Sequence, residues 1–344
     1  VRGVVRTTVT ALLAVACAAG AGIPATAAQP GGRPRPVACQ EITIETEPPG
    51  LGRTSLRGEL CRPAGVVATV QLLLGGLTYD RHYWTTSPDG SGPSYQRSAN
   101  NAGLATLALD RLGTGNSDRP AADKVGFDAQ VVAVEQVVAK VLAGVRGQRY
   151  QRIVLVGHSF GAGIALAVAT RRPEVTGVVL SGYAHAAGPK LAEFGKTLVA
   201  AKDDPVTGPA NPPEGYLTTR AGSRSEFFFN PGNAVPSVIA RDEADKSTTT
   251  TGEQTSLGSA YDIRLAAAVK TPVLIALGQQ DQLFCGGQWL RCSSADEVRE
   301  YESRLFTGGA RLSTVLLPDS GHALNLHRNS ADFYAGAQAW IAAL

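Results

Sequence analysis

Six short runs of almost unbroken apolar residues punctuate the chain: Ala68 to Leu74, Leu104 to Leu109, Ile153 to Val156, Val178 to Leu180, Val273 to Leu277 and Leu312 to Leu317. Runs this short and this uniform suit strands buried on both faces, the environment of a parallel sheet covered by helices. Ahead of them, Ile42 to Glu47 alternates apolar with polar positions, and Thr54 to Cys61 follows the Pro48-Pro49-Gly50 turn. Together these predict an antiparallel hairpin. Helical periodicity fills the gaps: Val131, Val134, Val138, Val141 and Leu142 share a face of Phe127 to Val145, and Phe160 to Arg171 is rich in Ala with Ile164 and Leu166. Strand, helix and strand in succession imply right-handed crossovers, and so an α/β chain built on a mostly parallel, doubly wound sheet.

From Tyr183 to about Tyr261 this rhythm breaks. The stretch carries Pro205, Pro209, Pro212, Pro213, Pro231 and Pro236, the aromatic run Phe227-Phe228-Phe229, and the polar run Ser247 to Gly252. It reads as an insertion, about 184–260, that caps the carboxyl edge of the sheet within one domain, 38–344. No internal repeat is visible.

The start of the chain does not read as fold. Arg2 and Arg6 precede an apolar run from Val9 to Ala19, which is far shorter than the roughly 20 residues of a membrane helix. Ala25-Thr26-Ala27 then offers the small-x-small pattern of signal-peptide cleavage, so 1–28 is expected to be a signal peptide. Ala14-Val15-Ala16-Cys17 weakly resembles a lipoprotein box, which makes lipid anchoring at Cys17 the alternative to full secretion. Pro, Gly and Arg alternate from Gln29 to Pro36, and 29–37 is expected to be a disordered leader. No later stretch is long and apolar enough for a transmembrane helix.

Charge narrows the choice of partner. The chain has 32 Lys and Arg against 29 Asp and Glu; without Arg2 and Arg6 the basic count is 30. That balance gives no electrostatic case for nucleic acid or an anionic membrane. Four cysteines follow the signal segment, an even set for an oxidising compartment. The neighbouring pairings are Cys39 to Cys61, across the predicted hairpin, and Cys285 to Cys292, around a short loop. No cysteine pair has zinc-site spacing beside a histidine pair, so no metal is expected.

Candidate chemistry centres on Gly157-His158-Ser159-Phe160-Gly161, which directly follows one apolar run and directly precedes a helical one. A turn sharp enough to lift Ser159 above the strand ends strains the backbone and leaves no space for side chains at Gly157 and Gly161. Gly163 is expected to let the helix approach the sheet. The bland alternative is a loop serine capping the next helix.

A serine hydroxyl needs a base. His322, in Ser320-Gly321-His322 after the last apolar run, is placed to return over the sheet edge. His158 lies within the turn, His82 and His185 follow earlier strands, and His327 reads as a packing or hydrogen-bonding residue. The acid that orients the base should follow a strand between serine and histidine. Asp281 does so, four residues beyond Leu277; Asp319, after Pro318, is the rival and reads as a turn residue. Two backbone amides are expected to hold the developing oxyanion: that of Phe160, and that of Leu77 in the Leu74-Gly75-Gly76-Leu77 loop.

With these motifs, the chain resembles the α/β-hydrolase superfamily, and more narrowly its exported actinobacterial esterase-like branch. The likeness runs from about Val70 to the C-terminus and is weakest in the insertion. It includes Leu77-Thr78-Tyr79-Asp80, His82-Tyr83-Trp84, Asp110-Arg111-Leu112-Gly113-Thr114-Gly115-Asn116-Ser117 and Gly321-His322-Ala323-Leu324-Asn325-Leu326-His327. The Asp110 to Ser117 segment looks like the family's structural D-x-x-G-x-G-x-S turn. One departure is that many relatives have His-Gly where this chain has Gly75-Gly76. The resemblance implies acyl transfer to water through an acyl-serine intermediate, with no metal and no organic cofactor. Ser159 separates the chain from relatives that place an aspartate at the turn.

A small-molecule carboxylic ester is the expected substrate, and Tyr83, Trp84, Phe227, Phe228 and Trp289 are candidates to line its pocket, against the plain reading that aromatic clusters are core. The alternative keeps the same triad for a biosynthetic hydrolysis, acyl transfer or cyclisation on a lactone or natural-product ester. Oligomeric state is not legible in the sequence.

Overall fold

The computed structural model describes residues 36–85 and 92–344. The expected signal peptide, Cys17 and nearly all of the expected leader lie outside the described residues.

An eight-stranded sheet forms the centre of the domain. Its strands in chain order are β1 (Val37–Thr46), β2 (Thr54–Pro63), β3 (Thr69–Leu74), β4 (Ala105–Leu109), β5 (Arg152–His158), β6 (Val175–Ser181), β10 (Val273–Gly278) and β11 (Leu312–Leu317). Their spatial order is β1-β2-β4-β3-β5-β6-β10-β11. The hairpin pairs antiparallel, and β2 pairs antiparallel with β4; every pair from β4 to β11 is parallel. All six residues of β3 and of β10 are buried, as strands between helical layers should be, and the one side-chain amide among them, Gln71, is bonded to Tyr95 and Gln338. β11 differs: five of its six residues are only half-buried, because it is the outermost strand.

The helices are α1 (Tyr95–Asn101), α2 (Phe127–Ala143), α3 (Phe160–Arg171), the short α4 (Leu191–Phe194), α5 (Ser223–Phe228), α6 (Pro236–Ala244), α7 (Thr251–Thr255), α8 (Ile263–Ala268), α9 (Ala295–Ser303) and α10 (Ser330–Ala342). α2 ends at Ala143, two residues short of its sequence-predicted end, where Gly144 takes φ +126° and Lys140 O accepts its amide. Strands in the prolyl segment 184–260 are brief: β7 (Leu198–Ala200), β8 (Tyr216–Thr219) and β9 (Thr249–Thr250) form a separate antiparallel sheet.

Two disulfides, Cys39–Cys61 and Cys285–Cys292, close the pairings expected from the sequence. Cys39 and Cys61 face each other in the register of β1 and β2. No helix among the described residues is long and apolar enough to cross a membrane.

Candidate active site

The turn between β5 and α3 carries Ser159 at φ +53° and ψ −121°, a conformation that costs a non-glycine residue of order 1–3 kcal/mol. The glycines explain how it survives. A Cβ on Gly157 would sit 2.3 Å from the Gly161 carbonyl oxygen, and one on Gly161 would sit 2.5 Å from the carbonyl oxygens of both Leu74 and Gly75. Gly161 therefore lets α3 start against the end of β3. Gly163 has a different neighbour from the one its position suggested: its Cβ would meet Ala260, 2.5 Å from the carbonyl oxygen, rather than the sheet. Ser159 itself is half-buried.

Asp281 follows β10 and is fully buried. Its Oδ1 accepts the Leu283 amide at 3.0 Å, and its Oδ2 lies 2.9 Å from His322 Nδ1. His322 reaches it from the loop after β11 and is 2% exposed. The His322 ring lies 4.7 Å from the His158 ring, the neighbour of Ser159 in sequence, with Phe228 and Phe284 at 5.5 and 5.7 Å. Asp319, the rival acid, has φ +53° at a turn, and its carbonyl oxygen accepts from Asn230 Nδ2.

The other histidines have separate duties. His158 stacks on Tyr83, and its Nδ1 lies 3.2 Å from both the Ser181 carbonyl oxygen and the Tyr83 hydroxyl. Burial, then the neighbouring His322, push its pKa well below the ordinary value, so the ring stays neutral. His327 Nδ1 donates to the Ala323 carbonyl at 2.9 Å, which leaves Nε2 to accept the amides of Gly321 at 2.9 Å and Asn230 at 3.1 Å. It thereby ties the loop of His322 to segment 184–260. His185 is bonded to buried Glu302 at 2.7 Å, and His82 to Asp80 at 2.8 Å.

The Phe160 amide, at the first position of α3, and the Leu77 amide have no acceptor among the described residues. Their loops touch: a Cβ on Gly76 would lie 3.0 Å from Ser159 Cβ. Three of the aromatic candidates are part of the packing around this region. Trp84 is wholly buried between Tyr83 and Tyr95, Phe227 packs on Phe194, and Phe228 lies between Phe194 and His322. Trp289 is 68% exposed. Tyr83 and Tyr79 also border a cavity of about 1010 Å³ whose other walls include His82, Arg241 and Tyr334, and which contains none of Ser159, Asp281 and His322.

Two groups near Ser159 had no signal in the sequence. The half-buried Tyr261 has its pKa raised by burial, and contact with the Ser159 side chain works against that rise. Arg111, read as part of a structural turn, is 1% exposed and sends Nε to the Gly75 carbonyl at 2.9 Å and Nη2 to the Gly76 carbonyl at 2.8 Å. A lone arginine between Asp110 and Leu112 does not announce burial.

A parallel sheet, a strained serine between strand and helix, and a histidine bonded to a buried carboxylate at the same sheet edge define a hydrolase of α/β architecture. The chain belongs to the alpha/beta hydrolase family, whose model matches residues 71–336. Among solved structures it is similar to an esterase from Exiguobacterium antarcticum (16% identity, TM-score 0.61, covering 87% of this chain and 99% of that one). A thermophilic esterase from Thermogutta terrifontis is similar at 18% identity and TM-score 0.60, over 87% of this chain and 98% of that one. An esterase from a Rhodococcus species is similar at 17% identity and TM-score 0.57, over 89% and 99%. No curated protein matches the chain.

Proposed function

We propose that this protein is a secreted serine hydrolase of carboxylic esters, with Ser159 as nucleophile, His322 as general base and Asp281 as the acid that orients it. One observation carries the reading: a half-buried serine held at φ +53° stands at the sheet edge where His322 Nδ1 is bonded to buried Asp281. With Nδ1–H committed to the carboxylate, Nε2 is left as the base. Ser159 Oγ attacks the ester carbonyl as its proton passes to His322 Nε2. The amides of Phe160 and Leu77 hold the oxyanion, and collapse expels the alcohol, which takes the proton from His322. Water, activated by the same imidazole, then releases the acid from Ser159.

The likeness to three esterases supports the choice of substrate class. Segment 184–260 serves as a cap in this reading, since Phe228 within it packs on His322. Phe228 and Phe284 would present an apolar wall to the acyl or alcohol group. The two disulfides support export by the signal segment 1–28, as in the exported esterase-like branch that the sequence resembles.

The test is a panel of aryl esters of increasing chain length alongside lactones, run on the native chain and on Ser159→Ala. Ser159→Ala should lose about 10³-fold or more in kcat and escape labelling by a fluorophosphonate. Turnover of lactones but of no simple ester would move the assignment to a specialised biosynthetic hydrolase. Activity that survives Ser159→Ala would overturn both.

A further inference from the structure

The loop that runs from Gly75 to Tyr79 is held by two buried guanidinium groups, each paired with a carboxylate of segment 184–260. Arg111 takes the carbonyls of Gly75 and Gly76 and is paired through Nη1 with Glu253, and neither side chain of that pair is exposed. Glu253 is fixed in turn by Gln130 Nε2 at 2.7 Å and Thr249 Oγ1 at 2.6 Å. On the far side of the loop Arg224 donates to Thr78 Oγ1 at 3.0 Å and forms a two-pronged pair with Asp242 at 2.7 and 3.0 Å. Thr78, at φ +58°, also has its carbonyl taken by the Ser247 amide at 2.9 Å.

The consequence lies in the peptide between Gly76 and Leu77. A trans peptide is planar, with its C=O and N–H pointing in opposite directions. Arg111 Nη2 bonds the Gly76 carbonyl oxygen, so the N–H of Leu77 is turned to the face away from Arg111. The guanidinium beside that oxygen also polarises the peptide and strengthens the N–H as a donor. The geometry points to Arg111 as a positioning residue for the oxyanion hole, aiming and sharpening the Leu77 amide, with Glu253 as the counter-charge that permits a guanidinium to be buried there. The inference rests on the reading of Ser159 as nucleophile. It also makes the fixing of the Gly75-Gly76 turn depend on segment 184–260, which supplies Glu253 as the counter-charge to Arg111.

Three variants test it. Arg111→Lys keeps the charge pair with Glu253 but has no planar fork to hold two carbonyls. The double variant Arg111→Met with Glu253→Leu removes both charges together, which avoids leaving one buried and unpaired. Glu253→Gln leaves the arginine in place with a weaker partner. We expect kcat on an aryl ester to fall about 10-fold in Arg111→Lys and about 100-fold in the double variant, with KM little changed, in line with the loss of one oxyanion donor. Glu253→Gln should fall between the native chain and Arg111→Lys. A purely structural role would not move a second readout: affinity for a boronic acid, whose tetrahedral adduct occupies the hole, should weaken by the same factor as kcat/KM. Native kcat in folded Arg111→Lys, or a loss of kcat with boronate affinity intact, would overturn the proposal. Should the double variant not fold, Arg111→Lys decides alone. A native chain with no Ser159-dependent ester hydrolysis would instead sink the underlying reading.

Discussion

Nδ1 of His322 lies 2.9 Å from Oδ2 of Asp281, while the second oxygen of that carboxylate is already occupied by the Leu283 amide at 3.0 Å. The two bonds fix which atom faces which. In Asp281→Asn, the Leu283 N–H keeps the amide oxygen on its side and turns the NH2 toward His322. Nδ1 must then accept, and the ring proton moves to Nε2, the atom that the proposed mechanism uses as base. A loss of about 10³- to 10⁴-fold in kcat is expected with KM nearly unchanged. Steady-state kinetics on an aryl ester give the answer, and a loss below tenfold would count against this pairing.

Gly163 predicts a coupling between packing and chemistry. A methyl there would stand 2.5 Å from the Ala260 carbonyl oxygen and 2.7 Å from Ala260 Cβ. Tyr261, the next residue, touches the Ser159 side chain. Gly163→Ala should cost about 1–3 kcal/mol as an overpacked contact and reduce activity by more than its loss of stability explains. Thermal melts and kinetics on the same preparation separate the two effects. Unchanged activity in a destabilised variant would show that residue 261 is not felt at Ser159.

Much of this was legible because burial leaves a mark on composition. β3 and β10 sit between two layers, so their positions are apolar apart from Thr69 and Gln71, and their runs stand out without any alignment. Asp281 and His322 each follow such a run, and chain order alone brought them to one edge. α3 spans the same residues, Phe160 to Arg171, that its periodicity marked. What stayed hidden depends on distant partners or on very short elements. β9 has two residues, too few for any period to register. Arg111 and Glu253 are 142 positions apart, and Arg224 and Asp242 are 18 apart; a charge destined for a buried pair has the same letter as one destined for solvent. Gly163 announced a close approach, but the sheet expected as its neighbour is replaced by Ala260, a contact across 97 positions that periodicity does not record.

Acid should weaken the fold through two histidines. Burial is the chief cause that holds both His158 and His327 below the ordinary value of 6.5. Below about pH 6.5 the unfolded chain takes up protons that the folded chain refuses, so their contribution is complete above that pH and is lost as pH falls toward the folded values. Protonated His327 could no longer accept the Gly321 and Asn230 amides. His82 has the opposite sign: its bond to Asp80 raises its pKa to about 9, so its contribution is present below about 6.5 and is lost as pH rises through about 9. Tm should therefore fall from about pH 6.5 toward about pH 5, with a shallower slope in His327→Gln, whereas His82→Ala should lower Tm by a constant amount below about pH 6.5, flatten the decline between about pH 6.5 and about pH 9, and leave the acid slope as it was. An acid slope identical in native chain and His327→Gln would remove His327 from this account.

The two disulfides should separate stability from catalysis. Cys39–Cys61 joins the edge strand β1 to its neighbour β2 across a separation of 22 residues, far in the sheet order from β10 and β11, whose ends carry Asp281 and His322. Replacing both cysteines by serine should cost about 3 kcal/mol from the loop-closure term and leave kcat unchanged. Cys285–Cys292 has a separation of only 7 residues, which sets a smaller term of about 2 kcal/mol. Its position matters more than its length. The Cys285 amide donates to the Asp281 carbonyl at 2.6 Å, so the bridge closes directly onto the turn that presents the carboxylate. Cys285→Ser with Cys292→Ser should lower kcat about tenfold by loosening that turn, because small misplacements of catalytic groups are felt steeply in rate. Equal kcat in both double variants, measured well below their melting points, would show that the Asp281 turn holds its geometry without the bridge.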